Sequence, residues 1–146
     1  MTVERIHPDE HSDERTTLRA FLDYHRATLH QKIDGVTDEQ ARATSIEPSE
    51  LSLLGLVRHM HLVEQWWFER WFNGSDRPLP YVTADDRDAD FHCGPDDTIA
   101  DALTAWQAQC ETSRTIEAAA PSLDVVTVRT QLNDDGILEQ PSLRWV

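Results

Sequence analysis

Thiols, lysines and positive charge are all scarce in this chain. Two cysteines occur in 146 residues, Cys93 and Cys110, with no pairing pattern. They read as free thiols in a reducing, cytoplasmic setting, not as a disulfide framework. Lys32 is the single lysine against twelve arginines, a bias typical of high-GC genomes. Thirteen basic residues face 27 acidic ones, for a formal charge of −14. That balance repels a phosphate backbone, and no local Lys/Arg cluster offsets it, which argues against nucleic acid and against an anionic membrane surface. No apolar run approaches the ~20 residues of a membrane span. The opening Met1-Thr-Val-Glu-Arg-Ile-His-Pro8 has no apolar signal-peptide core. Glycine-rich phosphate loops, Gly-x-Ser-x-Gly elbows and His-Glu-x-x-His zinc motifs are missing as well.

What is present suits one soluble globular domain over residues 1–146: 39% of the chain is apolar and 27% charged. Residues 1–11 read as a loose N-terminal arm. A first helix is expected over about 12–33, capped by Ser12 or Asp13, with Leu18, Phe21, Leu22, His25, Leu29 and Ile33 on one face. Thr37–Ala41 reads as a short capped turn. A second long helix follows from Ser52 to about Asn73-Gly74. The polar stretch 75–97, rich in Asp and Pro, reads as a crossover running along the bundle. A third long helix is expected over about 98–119, with Trp106 and Cys110 on its apolar stripe and Pro121 stopping it. Leu123–Leu132 alternates like an extended segment, Asn133–Gly136 is a turn, and Pro141-Ser142 opens a last helix. The fold class is therefore all-α, a four-helix bundle with a long crossover, its last helix truncated in this sequence. Three helices alone would leave an apolar trough.

The second long helix concentrates the chemistry. It is apolar almost all round, and at 100° per residue its continuous polar wedge is Arg58, Gln65 and Glu69. His59 lies about 80° to one side of the apolar arc's centre and Glu64 about 60° to the other, with His61 further round at about 120°. His59 thus reads as a metal ligand or general base inside the bundle, or as a shoulder histidine satisfied by a carbonyl or carboxylate. Glu64 reads as a partner orienting a histidine or as half of an ion pair with an arginine. His25 is either a pocket-lining imidazole or a core histidine with one hydrogen bond. Trp66, Trp67 and Trp71 suit core and dimer surface more than a ligand cage. His92-Cys93 resembles half of a soft metal site, without a second pair at zinc spacing.

Taken together, several segments resemble the DinB-like superfamily, and more closely its actinobacterial branch of short proteins. They are Glu14–Tyr24, Gly35–Ala41, Ser52-Leu-Leu-Gly-Leu-Val-Arg-His59 with Glu64 and Trp67-Phe68, and Ser142-Leu-Arg-Trp-Val146. The resemblance implies an up-down-down-up four-helix bundle, often a homodimer. It also implies a metal-dependent transferase or isomerase that uses a low-molecular-weight thiol such as mycothiol against a small electrophilic substrate. One histidine of helix two and a His-x-x-x-His pair in the last helix hold a divalent metal, zinc or nickel, in that family. His59 matches the first position, and the other ligands are expected after Val146, so no metal is expected on residues 1–146 alone. Glu64, His25 and Trp106 are the candidates around the site or pocket. The rival reading is a metal-free, non-catalytic dimeric bundle that serves as an interaction or structural module, with the aromatic helix as its dimer surface.

Overall fold

The computed structural model describes residues 3–146; Met1 and Thr2, the start of the expected arm, lie outside the described residues. Local chemistry sets the start of each helix. Helix α1 spans Glu14–Ile33, and the Asp13 carboxylate accepts from the Thr16 amide. Helix α2, Asp38–Arg42, is closed by a reciprocal Thr37–Gln40 capping box. The Ser52 hydroxyl accepts from the Gly55 amide to start α3, Leu53–Glu64. Thr98 does the same, through the Asp101 amide, for α4, Ile99–Ala119. Residues 3–8 lie along α1: Arg5 covers the Tyr24 ring, His7 meets that ring edge-on, and Gln31 donates to the Val3 carbonyl.

Helix α3 does not end at Glu64. It widens into a π-helix over Gln65–Phe72, where bulky aromatics follow one another. The wider turn brings Trp66 within 6.3 Å of Trp71, five residues on, and Trp67 within 5.8 Å of it. The π-helix is rare and appears mostly as single-turn bulges, frequently at functional sites.

Helices α3 and α4 form one core of Leu54, Val57, Ala102, Trp106 and Cys110, to which α1 adds Ile33 and α2 adds Ala41. A second cluster, Phe68, Phe72, Ala120 and Leu143, joins the π-helix to the C-terminal segment. Charge, more than apolar contact, ties α1 to the rest. Arg15 and Arg19 converge on Glu117, Asp23 meets Arg114, and Arg26 meets Glu64. The apolar stripe of α1 correspondingly differs from the sequence expectation. Arg26, Ala27 and Ile33 are its buried residues. Leu18, Phe21 and Leu22 stay substantially exposed, Phe21 at 45%. They line a groove of about 300 Å³ with His25, Phe68 and Leu143.

The polar wedge of α3 differs too. Arg58, Gln65 and Glu69 are buried, Gln65 to 1% exposure, although the pattern marks them as the wet face. The crossover 75–97 lies over them. Arg58 donates to Asp97 and to the Ala89 carbonyl, Gln65 to the Pro78 carbonyl, and Glu69 accepts from Ser75 and Arg77. Tyr81 adopts φ 67°, a strained value for a non-glycine residue, beneath Arg58 at 4.3 Å and hydrogen-bonded to His61.

Beyond α4 the chain is mostly irregular. Val126 bridges Ser142, and β1 (Gln131–Leu132) pairs antiparallel with β2 (Leu138–Glu139) around the Asn133–Gly136 turn. Ser142 opens a single turn, its carbonyl accepting from the Trp145 and Val146 amides. Among the described residues the chain is thus mainly helical, with one very small strand pair.

Candidate functional site

His59 sits on α3 beside the crossover. Its Nδ1 lies 2.7 Å from the Asp90 carboxylate, and the imidazole stacks on the Phe91 ring at 4.7 Å between centroids. The two partners differ sharply in access: the His59 side chain is 38% exposed, the Asp90 side chain 2%. Three features of α3 hold the Ala89-Asp90-Phe91 segment in place. Arg58 Nη2 donates to the Ala89 carbonyl at 2.7 Å. Its Nη1 reaches Asp97 further along the crossover at 2.6 Å. Gly55 lets the Phe91 backbone approach so closely that an added Cβ would stand 3.2 Å from Phe91 Cα. The result is an imidazole oriented by a buried carboxylate, the arrangement that fixes a histidine's tautomer at metal and acid–base sites alike.

Sequence reasoning missed Asp90. It is one of several aspartates in a stretch that reads as solvent-facing, and only the docking of that stretch on α3 buries it. The usable signal was the need of an inward His59 for a hydrogen-bond partner, with Asp-rich sequence as the nearest source.

Glu64 is not beside His59. It receives a bidentate fork from Arg26, at 2.7 Å from Nε and 2.8 Å from Nη2, with both side chains buried. Cys110 Sγ is 3.7 Å from the same carboxylate. Burial, reinforced by the Glu64 charge, pushes the Cys110 thiol up to about 12, so this cysteine is protonated and unreactive at neutral pH. Burial works to lower the basicity of Arg26, but Glu64, with smaller help from Cys110 and Asp23, holds it above its ordinary value. Trp106 is buried in the α3/α4 core, and its Nε1 has no partner among the described residues. His25 is exposed at the edge of the α1 groove.

His61 is buried and pairs through Nδ1 with the Tyr81 hydroxyl at 3.0 Å. Burial first, and the Arg77 charge second, hold its basicity below the ordinary histidine value. On the crossover surface His92 lies 2.7 Å from Asp86 and 3.3 Å from Glu50, and the Asp86 hydrogen bond raises its pKa. Both ring nitrogens therefore face carboxylates, which leaves neither turned to Cys93.

Residues 3–146 do not by themselves fit a resident divalent metal. Zinc sites use three or four protein ligands. Among the described residues no group of three or more His, Cys, Asp or Glu side chains is placed to hold a metal ion. At His59 the one carboxylate in contact sits on Nδ1 and is itself buried, a position that orients the ring. No helix of the described residues is long and apolar enough to cross a membrane.

Comparison with known proteins gives one finding. A family model described as Mycothiol-S-transferase matches residues 17–146, a span that runs from the first turn of α1 through the C-terminal turn and includes His59 and Asp90. No curated protein and no solved structure matches the chain. With a match over most of its length, the chain belongs to the mycothiol-S-transferase family, within the DinB-like superfamily.

Proposed function

We propose that this protein takes part in thiol transfer, joining a low-molecular-weight thiol of the mycothiol type to a small electrophile in the cytoplasm. The observation that carries the reading is the family match over residues 17–146. The His59–Asp90 pair supports it, since it places an oriented and accessible imidazole on α3. In the reaction class the family name describes, the thiol sulfur gives its proton to a base, the role assigned here to His59, and attacks the electrophile, whose leaving group departs with the bonding electron pair.

His59 is the residue assigned to the reacting end. As a metal ligand it would need further donors from outside these 146 residues. Glu64 supports the bundle through Arg26 in this reading. His25 and Trp106 are the pocket candidates, and the up-down-down-up arrangement and a homodimer complete it.

The exposed α1 groove favours a second reading, a non-catalytic dimeric module. Apolar side chains are exposed on α1, at Phe21 and its neighbours, and also in the C-terminal segment, at Leu132, Leu138 and Trp145, while Trp66 and Trp67 are half-buried.

One experiment separates the two. Purified protein is incubated with mycothiol and a haloalkyl bimane, with and without added zinc, and the fluorescent thioether is followed. Adduct formation that requires both protein and thiol is expected. A rate equal to the protein-free control under both conditions, from a stable dimer, would replace the transferase reading with the module.

A further inference from the structure

We propose that Asp90 is a positioning residue for His59: it fixes the imidazole with its proton on Nδ1 and presents an unprotonated Nε2 to whatever the site binds. The inference deepens the thiol-transfer reading and rests on it only for the use made of Nε2.

The geometry is asymmetric in a way that selects one tautomer. An ionised carboxylate only accepts hydrogen bonds. The 2.7 Å contact from Asp90 Oδ2 to Nδ1 therefore calls for the proton on Nδ1. In the neutral ring the lone pair then falls on Nε2, which has no hydrogen-bond partner among the described residues, on a side chain that is 38% exposed. Stacking on Phe91, with the two rings 26° from parallel, restricts turning of the imidazole out of that plane about its Cβ–Cγ bond. Asp90 is 2% exposed, so it cannot exchange His59 for water without leaving its place. A buried carboxylate deprived of its partner is costly, and this couples the two side chains tightly.

Helix α3 holds the positioning residue as well as the residue positioned. Arg58, next to His59 in sequence, grips the Ala89 carbonyl immediately before Asp90. Gly55, one turn earlier, admits the Phe91 backbone. Arg58 is committed further to Asp97 and to the Tyr81 ring. Two positions of one helix thus anchor a loop segment whose side chain orients a third group on the same helix. The order Gly55, Arg58, His59 on α3 and Ala89, Asp90, Phe91 on the crossover is the sequence trace of this clamp.

Nitrogen-15 NMR of the histidine rings tests the proposal on the whole protein with no thiol or electrophile present. Failure of the transferase reading would leave this result untouched, and failure here would leave turnover to be judged separately. At a pH well above the ordinary histidine value of about 6.5, with the His59 signals assigned by their loss in His59→Gln, wild type is expected to show a protonated Nδ1 and a bare Nε2. A proton on Nε2, in a neutral or a charged ring, overturns the proposal. Asp90→Ala is expected to move His59 to the Nε2–H tautomer that free imidazole side chains prefer, with helix content unchanged by circular dichroism. An unshifted spectrum in a folded Asp90→Ala variant also overturns it. Where that variant does not fold, Asp90→Asn decides, because a carboxamide offers Nδ1 a donor and an acceptor from the same volume. Both tautomers are then expected, and a single Nδ1–H form identical to wild type contradicts a role for the carboxylate.

Discussion

Arg26 and Glu64 form a buried two-point ion pair between α1 and α3, with Nε and Nη2 of the guanidinium on separate carboxylate oxygens at 2.7 and 2.8 Å. It is a buried polar link between α1 and α3, beside the apolar packing of Ile33 against the core of α3. Removing one partner leaves the other charge buried and uncompensated, which typically costs ~3–5 kcal/mol. Arg26→Met is therefore expected to lower stability by about that amount in urea unfolding. The double variant Arg26→Met/Glu64→Leu should recover most of the loss, since a well-packed apolar replacement of a buried pair is often neutral. A double variant as unstable as Arg26→Met would show that α1 depends on the charge pair itself.

The two cysteines should differ in reactivity. Cys93 is partly exposed on the crossover, whereas Cys110 is buried, with its thiol pushed up to about 12. Treated with a maleimide at pH 8, the folded protein is expected to gain one label rapidly by intact mass, on Cys93, and the second only in denaturant. Rapid double labelling without denaturant would mean that the α3/α4 core opens readily around Cys110.

Acid should weaken the fold partly through His61. Its folded-state basicity lies below the ordinary value of 6.5, chiefly through burial. The unfolded chain then binds the proton more readily than the folded one. The stabilisation is fully present above about pH 6.5 and is lost as pH falls through the lowered folded value. Urea midpoints measured from pH 7.5 downward should decline from about pH 6.5, and His61→Gln should remove part of that slope. Parallel curves for the two proteins would contradict the assignment.

Gly74 is held by both backbone and space. Its φ is 75°, and a Cβ there would come within 2.6 Å of Val128 Cγ1. Gly35 has the same φ with open space around it. Gly74→Ala is expected to cost clearly more than Gly35→Ala, whose penalty should stay near the ~1–2 kcal/mol of the left-handed backbone alone. Equal losses in thermal melts would show that Val128 moves aside freely.

The parts legible in the sequence were those decided within a few residues. Asp13, Thr37, Ser52 and Thr98 announce the helix starts because a cap needs only its own next turn. Trp106 and Cys110 read as core because α4 packs its apolar stripe on α3 in the usual way. Arg58, Gln65 and Glu69 misled, because a polar stripe covered by a polar loop has the same periodicity as one facing water. The α1 stripe misled in the opposite sense, since what an apolar face packs against is not encoded in its spacing. The π-helix left no periodic signature over eight residues. At the site, His59 was visible from its place on α3, whereas Asp90 and the Arg26–Glu64 pair depend on contacts 31 and 38 residues away along the chain.

The central claim, thiol transfer at His59, is tested most directly by the mycothiol-dependent rate of the His59→Ala variant against wild type. Both are assayed for thioether formation under the conditions that give wild-type turnover, after circular dichroism and urea unfolding show the same fold. A loss of at least about 100-fold in kcat is expected, in the range typical for removing a positioned acid–base group. A variant that turns over at the wild-type rate would contradict the account.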